Sequence, residues 1–254
     1  MPDAMIFTSP AVDLSNPKIH STDISDRIVG GRQVWAPHWY DGLTLLTRNF
    51  RSYLGFTMSS KLPIRVFKSF VFQGFVADIK AHKDAGKAVG PTMLGEIGVP
   101  WLGSPERTTK ALDFSLAAAE LALIDAVIIW NYSPESSWEK GDGWNREDLS
   151  IFTGNLLRMS SAVRPYPRRV AGTLRSFRFH LERKKFEMEF VSDVDTDKVK
   201  TNESEIFIPS IHFSDISIVA ISEGATWKWD PSNQNFTFYH SREHLVHRLV
   251  VSSK

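Results

Sequence analysis

Three places along the chain carry side chains suited to chemistry on a sugar. His38 and Tyr40 stand two residues apart, so an extended backbone directs both to one side. Glu96 is flanked by Gly95 and Gly98, which permit close approach of neighbouring backbone. Trp130 offers a flat apolar face on which a sugar ring can stack. A carboxylate, a phenol able to hydrogen-bond it, an imidazole and an aromatic platform are the parts of a glycosidase site. Each also has a plainer reading when taken singly. A lone glutamate at a strand end is by default a solvated or helix-capping acid, His38 a satisfied buried imidazole, and Trp130 a core residue. Their occurrence together at successive strand ends favours the functional reading.

The elements that must position them can be placed from periodicity and punctuation. Gln33 to Pro37 reads as a short strand leading into His38, Trp39 and Tyr40. Pro63 suits a first helical turn, and Ile64, Phe67, Val71, Phe75 and Ile79 follow at helical spacing, with Gly86 as the stop. Thr92 to Gly98 reads as a second strand. Ser104, Pro105 and Glu106 form a strong helix start, with Leu112, Leu116, Ala119 and Leu123 as the buried stripe. Ala126 to Ile129 is a third strand ending at Trp130. The order strand, helix, strand, helix, strand describes a parallel βα array, whose reactive groups belong at the C-terminal strand ends. From Arg164 onward the pattern changes to short period-2 segments, among them Leu174–Leu181, Lys185–Phe190 and Asn235–Tyr239, as in a small β-sandwich. The fold class is therefore α/β plus all-β, divided into residues 1–163 and 164–254.

Composition narrows the function classes. The chain has 254 residues, 30 Lys+Arg against 29 Asp+Glu, and no cysteine. A net charge of +1 argues against binding nucleic acid mainly by phosphate neutralisation. The absence of cysteine removes disulfides, thiolate metal sites and cysteine nucleophiles. Neither a signal peptide nor a membrane-spanning stretch is visible, so the expected location is cytoplasmic, with membrane association as an option. The N-x-S/T triplets beginning at Asn131, Asn202 and Asn235 are then chance matches. His240, His244 and His247 have a spacing that suggests metal, but a surface role is the default. The basic run Arg164, Arg168, Arg169, Arg175, Arg178, Arg183, Lys184 and Lys185 reads first as a solvated hairpin face and second as a membrane-surface patch.

Four blocks, read in order, resemble glycoside hydrolase family 5. They are Ala36–Gly42 (APHWYDG), Leu94–Pro100 (LGEIGVP), Ile129–Tyr132 (IWNY) and Gly141–Ile151 (GDGWNREDLSI). The nearest branch is the fungal one related to endoglycoceramidases, which cleaves glucosylceramide or steryl glucosides. The continuation through Arg164–Pro167 and Arg169–Gly172 resembles the entry to that branch's C-terminal β-sandwich. The resemblance implies a (β/α)8 barrel that hydrolyses β-glycosides with retention, using two glutamates and neither metal nor organic cofactor. It makes Glu96 the nucleophile, Tyr40 the residue that holds it ionised and aimed, His38 a substrate-positioning residue and Trp130 the sugar platform. The implied partner is a β-glucoside of a lipid, with no nucleic acid. The oligomeric state is left open.

The chain departs from the family pattern in three ways. The family's acid/base is the glutamate of an Asn-Glu pair, and the one pair here, Asn202-Glu203, falls in the terminal domain. Trp101, Leu102 and Gly103 follow Pro100 where an acidic residue is expected. A closed barrel takes about 250 residues, yet only 163 precede the sandwich. The segment before Val34 reads as a polar loop from Asp13 to Arg32, so three of eight strands are identifiable. The expectation is a C-terminal part of such a hydrolase, inactive alone for want of its second carboxylate, with Glu147 and Asp148 as weak substitutes. The alternative is a non-catalytic remnant that binds glycosides, through Trp130 and Trp144, or a membrane surface.

Overall fold

The computed structural model describes residues 4–10, 32–56, 64–137, 139–141, 147–154, 156–192, 202–241 and 245–254. The chain divides into two compact units, Met1–Ala162 and Val163–Lys254.

The first unit is built on parallel strands. β1 (Ile6–Thr8) pairs in parallel with β2 (Gln33–Trp35), and after Ala36 and Pro37 the chain continues as β3 (His38–Trp39). A short helix, α1 (Gly42–Thr47), precedes an antiparallel hairpin of β4 (Leu54–Phe56) and β5 (Ile64–Val66). Helix α2 (Lys68–Gly86) leads to β6 (Met93–Ile97), and α3 (Pro105–Leu121) leads to β7 (Ala126–Ile129). β3, β6 and β7 pair in parallel, and a bridge from Trp35 to Thr92 joins β2 to the same array. β1 corrects the expectation of three strands, because an apolar Ile6–Phe7 pair outside the segment read as loop supplies a fourth. Most of that loop, 13–31, lies outside the described residues.

The helix expected from Pro63 begins later. Ile64 and Val66 are β-branched and pair with Phe56 and Leu54, so this stretch is strand. Pro63 itself lies outside the described residues. Val71, Phe75 and Ile79 are buried on α2 as the spacing requires. At Gly86 a Cβ would meet the Trp35 ring at 2.4 Å, so this glycine makes room for a fully buried indole. The Ser104 side chain caps α3 by accepting from Arg107 N–H, and Leu112, Leu116 and Ala119 are buried. Leu123 lies beyond the helix at φ 52° and is only half-buried, so Ala122 and Ile124 take over the inward role. Edge-on contacts of Trp39 with Phe75 and of Phe114 with Phe50, Phe72 and Phe75, at 5.0–5.4 Å, fill the core. A small hairpin, β8 (Phe152–Thr153) and β9 (Leu156–Leu157), closes the unit.

The second unit is a β-sandwich of eight strands: β10 (Tyr166–Arg169), β11 (Thr173–His180), β12 (Lys185–Val191), β13 (Glu203–Phe207), β14 (Ile216–Ile221), β15 (Thr226–Asp230), β16 (Asn235–Tyr239) and β17 (Val246–Ser253). One sheet has the order β10-β13-β16-β15 and the other β11-β12-β17-β14, all antiparallel. Strict alternation puts Phe186, Met188 and Phe190 of one sheet against Ile206, Phe236 and Phe238 of the other, all fully buried.

Candidate active site

β3 and β6 lie in a register that sets His38 directly beside Glu96 and Trp39 beside Ile97. Trp39 and Ile97 turn into the core, and alternation then directs His38, Tyr40 and Glu96 to the opposite face. The Tyr40 hydroxyl donates to Glu96 Oε2 at 2.7 Å. His38 Nδ1 lies 3.3 Å from the same oxygen. The site is open on one side, with the Glu96 side chain 25% exposed and that of His38 39% exposed. Burial pushes the Tyr40 phenol well above the usual tyrosine range, and the hydrogen bond to Glu96, that carboxylate's charge and the Glu147 carboxylate push the same way. Tyr40 therefore stays a neutral donor wherever Glu96 is ionised.

Glycines bring the strand ends together. A Cβ on Gly95 would come within 2.9 Å of the Ala36 carbonyl and 3.1 Å of the His38 ring. A Cβ on Gly98 would stand 2.2 Å from the Trp130 carbonyl oxygen. Trp130 N–H donates to Ile97 O at 2.9 Å, which fixes the half-buried indole at the end of β7. The Trp130–Asn131 peptide is cis. Asn131 N–H donates to Leu149 O, and Ile151 N–H donates to Asn131 O, tying the segment after Glu147 to the same strand end. Asp41 caps α1 just after Tyr40, accepting from Leu43 N–H and the Thr44 hydroxyl, and burial raises its pKa against the pull of those bonds.

The two weaker acids separate. Asp148 is bound by Arg158 through two hydrogen bonds of 2.6 and 2.8 Å, with both side chains almost fully buried. The Arg158 guanidinium also lies 4.2 Å over the Trp101 ring, and Trp101 N–H donates to Asp148 O. Trp101, which the sequence marked only as a departure, is thus part of a buried clamp beside a cavity of about 360 Å³. The Glu147 carboxylate helps push the Tyr40 pKa up and, with Asp148, opposes the lowering of the Arg48 pKa by burial. Asp142 to Arg146, Trp144 among them, lie outside the described residues.

Other sequence candidates take structural places in the sandwich. Glu203 begins β13 and accepts from Arg169 at 2.8 Å, while Asn202 donates to His240 O. Arg169 also meets Glu205, Lys185 meets Glu187, and Arg164 and Arg168 lie over the rings of Phe179 and Phe207. Much of the basic run is thus partnered on the sandwich itself. His240 and His247 are buried, not on the surface as expected, because both rings pack against Phe190, with centroids 4.4 Å apart. His244 lies outside the described residues, and no group of three metal-ligating side chains occurs among the described ones.

Comparison with known proteins bears on both units. Residues 164–251 match the glycoside hydrolase family 5 C-terminal domain. The chain is 25% identical over 228 residues to a glucosylceramidase of Rhizopus delemar, covering 73% of this chain and 33% of that protein. It is 24% identical over 172 residues to an ergosteryl-beta-glucosidase of Saccharomyces cerevisiae, covering 59% of this chain and 22% of that protein. Among solved structures, sterylglucosidase 1 of Cryptococcus neoformans superposes with a TM-score of 0.78 at 22% identity, over 89% of this chain and 39% of that one. Endo-glycoceramidase II of Rhodococcus sp. gives 0.57 at 18% identity, over 88% and 43%. The chain spans about a third or less of the length of the curated relatives it matches.

Proposed function

From a chain that carries the glycoside hydrolase family 5 C-terminal domain at 164–251, we propose that the first unit is the nucleophile side of a retaining β-glucosidase site. Its substrate is a glucosylated lipid, glucosylceramide or a steryl glucoside, in keeping with the names of the relatives. The observation that carries this reading is the convergence of Tyr40 and His38 on one oxygen of Glu96. In this reading the parallel βα array is part of a (β/α)8 barrel.

Glu96 attacks the anomeric carbon, the C–O bond to the aglycone breaks as a second carboxyl protonates the leaving oxygen, and the covalent glycosyl-enzyme that forms is then hydrolysed by water. Tyr40, a donor at all working pH, holds the attacking carboxylate in line and cannot protonate it. His38 positions the sugar, and Trp130 stacks beneath its ring. Both steps need only acid–base and nucleophilic chemistry, so no metal or organic cofactor is invoked.

Retention requires a second carboxyl ~5–5.5 Å from the nucleophile to protonate the leaving oxygen. Asp148 is committed to Arg158 and Glu203 to Arg169, so we give that role to neither. We assign this chain no turnover on its own with alkyl glucosides. A substrate with a dinitrophenolate leaving group needs no protonation and isolates the nucleophile. The purified chain should be labelled on Glu96 by 2,4-dinitrophenyl 2-deoxy-2-fluoro-β-glucoside, read by peptide mass, with no label in Glu96→Gln. Absence of label overturns the assignment of Glu96. Turnover of glucosylceramide by the chain alone overturns only the inactivity.

A further inference from the structure

The β4–β5 hairpin is apolar on the wrong side for a core element. Its register pairs Leu54 with Val66 and Phe56 with Ile64 on one face, and Gly55 with Arg65 on the other. The Gly55 face lies on α2, since a Cβ there would meet Val71 and Phe75. The face carrying Phe56, Ile64 and Val66 therefore points outward, and all three are exposed, Ile64 at 66%. Phe67 and Phe70, which follow directly at the start of α2, are edge-on to each other and also exposed, at 68% and 54%. Five exposed large apolar side chains on two successive elements mark an interaction site.

The rim of the patch is cationic. At the foot of the hairpin, Arg51, Arg107 and Lys110 line a cavity of about 160 Å³ together with Tyr53. Among the described residues no carboxylate lines it. Lys68, exposed, stands between Phe67 and Phe70 in the chain. Aromatic and aliphatic side chains outside, with cations around them, are complementary to a bilayer whose surface is negative and whose interior is apolar.

We propose that this hairpin docks the first unit onto an anionic lipid bilayer, with Phe56, Ile64, Phe67 and Phe70 entering the interface and Arg51, Arg107 and Lys110 meeting lipid phosphates. The hairpin lies in the connection between β3 and the helix that returns the chain to β6. It is thus on the end of the array that bears Tyr40 and Glu96. Docking would hold that end against the surface where glycolipids reside. The delivery of substrate rests on the proposed hydrolase, but the docking does not, and vesicles without glycolipid test it alone.

The full chain is sedimented with sucrose-loaded vesicles of phosphatidylcholine, with and without 30% phosphatidylserine (roughly the anionic fraction that gives a strong surface potential). The expected result is binding to the anionic vesicles that weakens at least tenfold in high salt and tenfold or more in Phe67→Ser/Phe70→Ser and in Arg51→Glu/Lys110→Glu. Arg175→Ser/Lys184→Ser, on the sandwich, should bind as the parent does. All three variants are exposed-surface changes, and thermal melts verify that they fold. Absence of binding by the parent, equal binding by the hairpin variants, or loss in the sandwich variant overturns the proposal. So does a self-association, seen by sedimentation velocity, that Phe67→Ser/Phe70→Ser abolishes, since a second copy then occupies the patch.

Discussion

The Tyr40 hydroxyl and the Glu96 carboxylate, on neighbouring parallel strands, share a 2.7 Å hydrogen bond in which the tyrosine is always the donor. The phenol's raised pKa carries a sign that can be tested. A folded-state value above the unfolded one of ~10 means the stabilisation is complete below that pH and is lost as pH rises through the folded value. In an alkaline absorbance titration, the folded chain should fall one tyrosine short of the unfolded chain near pH 11, roughly one unit above the ordinary phenol pKa. Tyr40→Phe should remove the shortfall. It should also slow labelling of Glu96 by the activated glucoside roughly ten- to hundredfold, the worth of one hydrogen bond to a charged group.

The Asp148–Arg158 pair should behave as structure. Arg158→Met leaves a buried carboxylate without its cation, and should cost about 3–5 kcal/mol in urea unfolding. Replacing both, Asp148→Leu with Arg158→Met, should recover much of that loss. A double variant no more stable than the single one would place the value of the pair in the Arg158–Trp101 contact instead.

Gly98→Ala tests the seam between β6 and β7. Its methyl would stand 2.2 Å from the Trp130 carbonyl, so the strand end must move. The expected cost is roughly 1–3 kcal/mol, with Glu96 labelling slowed at least tenfold as the platform shifts. Stability and labelling both at parent level would show that the seam can give.

Two histidines make the chain weaker in acid. Burial lowers the pKa of His82, whose Nδ1 has no partner among the described residues, with Asp78 opposing. Burial and the nearby Arg178 lower that of His180, with Glu187 opposing. A depressed folded-state value means stability is intact above the unfolded histidine value of ~6.5 and is lost as pH falls through the folded one. Melting temperature should therefore drop between pH 7 and pH 5, about the span of histidine titration. His82→Gln should flatten part of that slope.

The sequence made the site legible where local rules and tertiary demands coincide. Period-2 spacing put His38 and Tyr40 on one side, and Ser104-Pro105-Glu106 announced α3. It failed where a partner strand decided the matter. Ile64 fits the helical spacing of Val71 and Phe75, yet pairing with Phe56 makes it strand. The Trp101–Arg158–Asp148 clamp joins positions 57 residues apart at its ends and leaves no periodic trace. His240, just past β16, and His247, on β17, read as surface because polar type outweighed their inward positions, where Phe190 packs on both rings and Ser192 meets His247.

The β3–β6 register has a consequence for how this site tolerates change. Two of its three polar groups depend on one alternation, counted from the His38–Glu96 pair. A substitution at either position removes one group and leaves the other. A single inserted or deleted residue between Ala36 and Tyr40 would invert the alternation, sending Trp39's neighbours inward and the indole out. His38 and Tyr40 would both leave Glu96 at once while every residue type remained in the chain. The stretch is a ruler as much as a motif, and its unit is one residue.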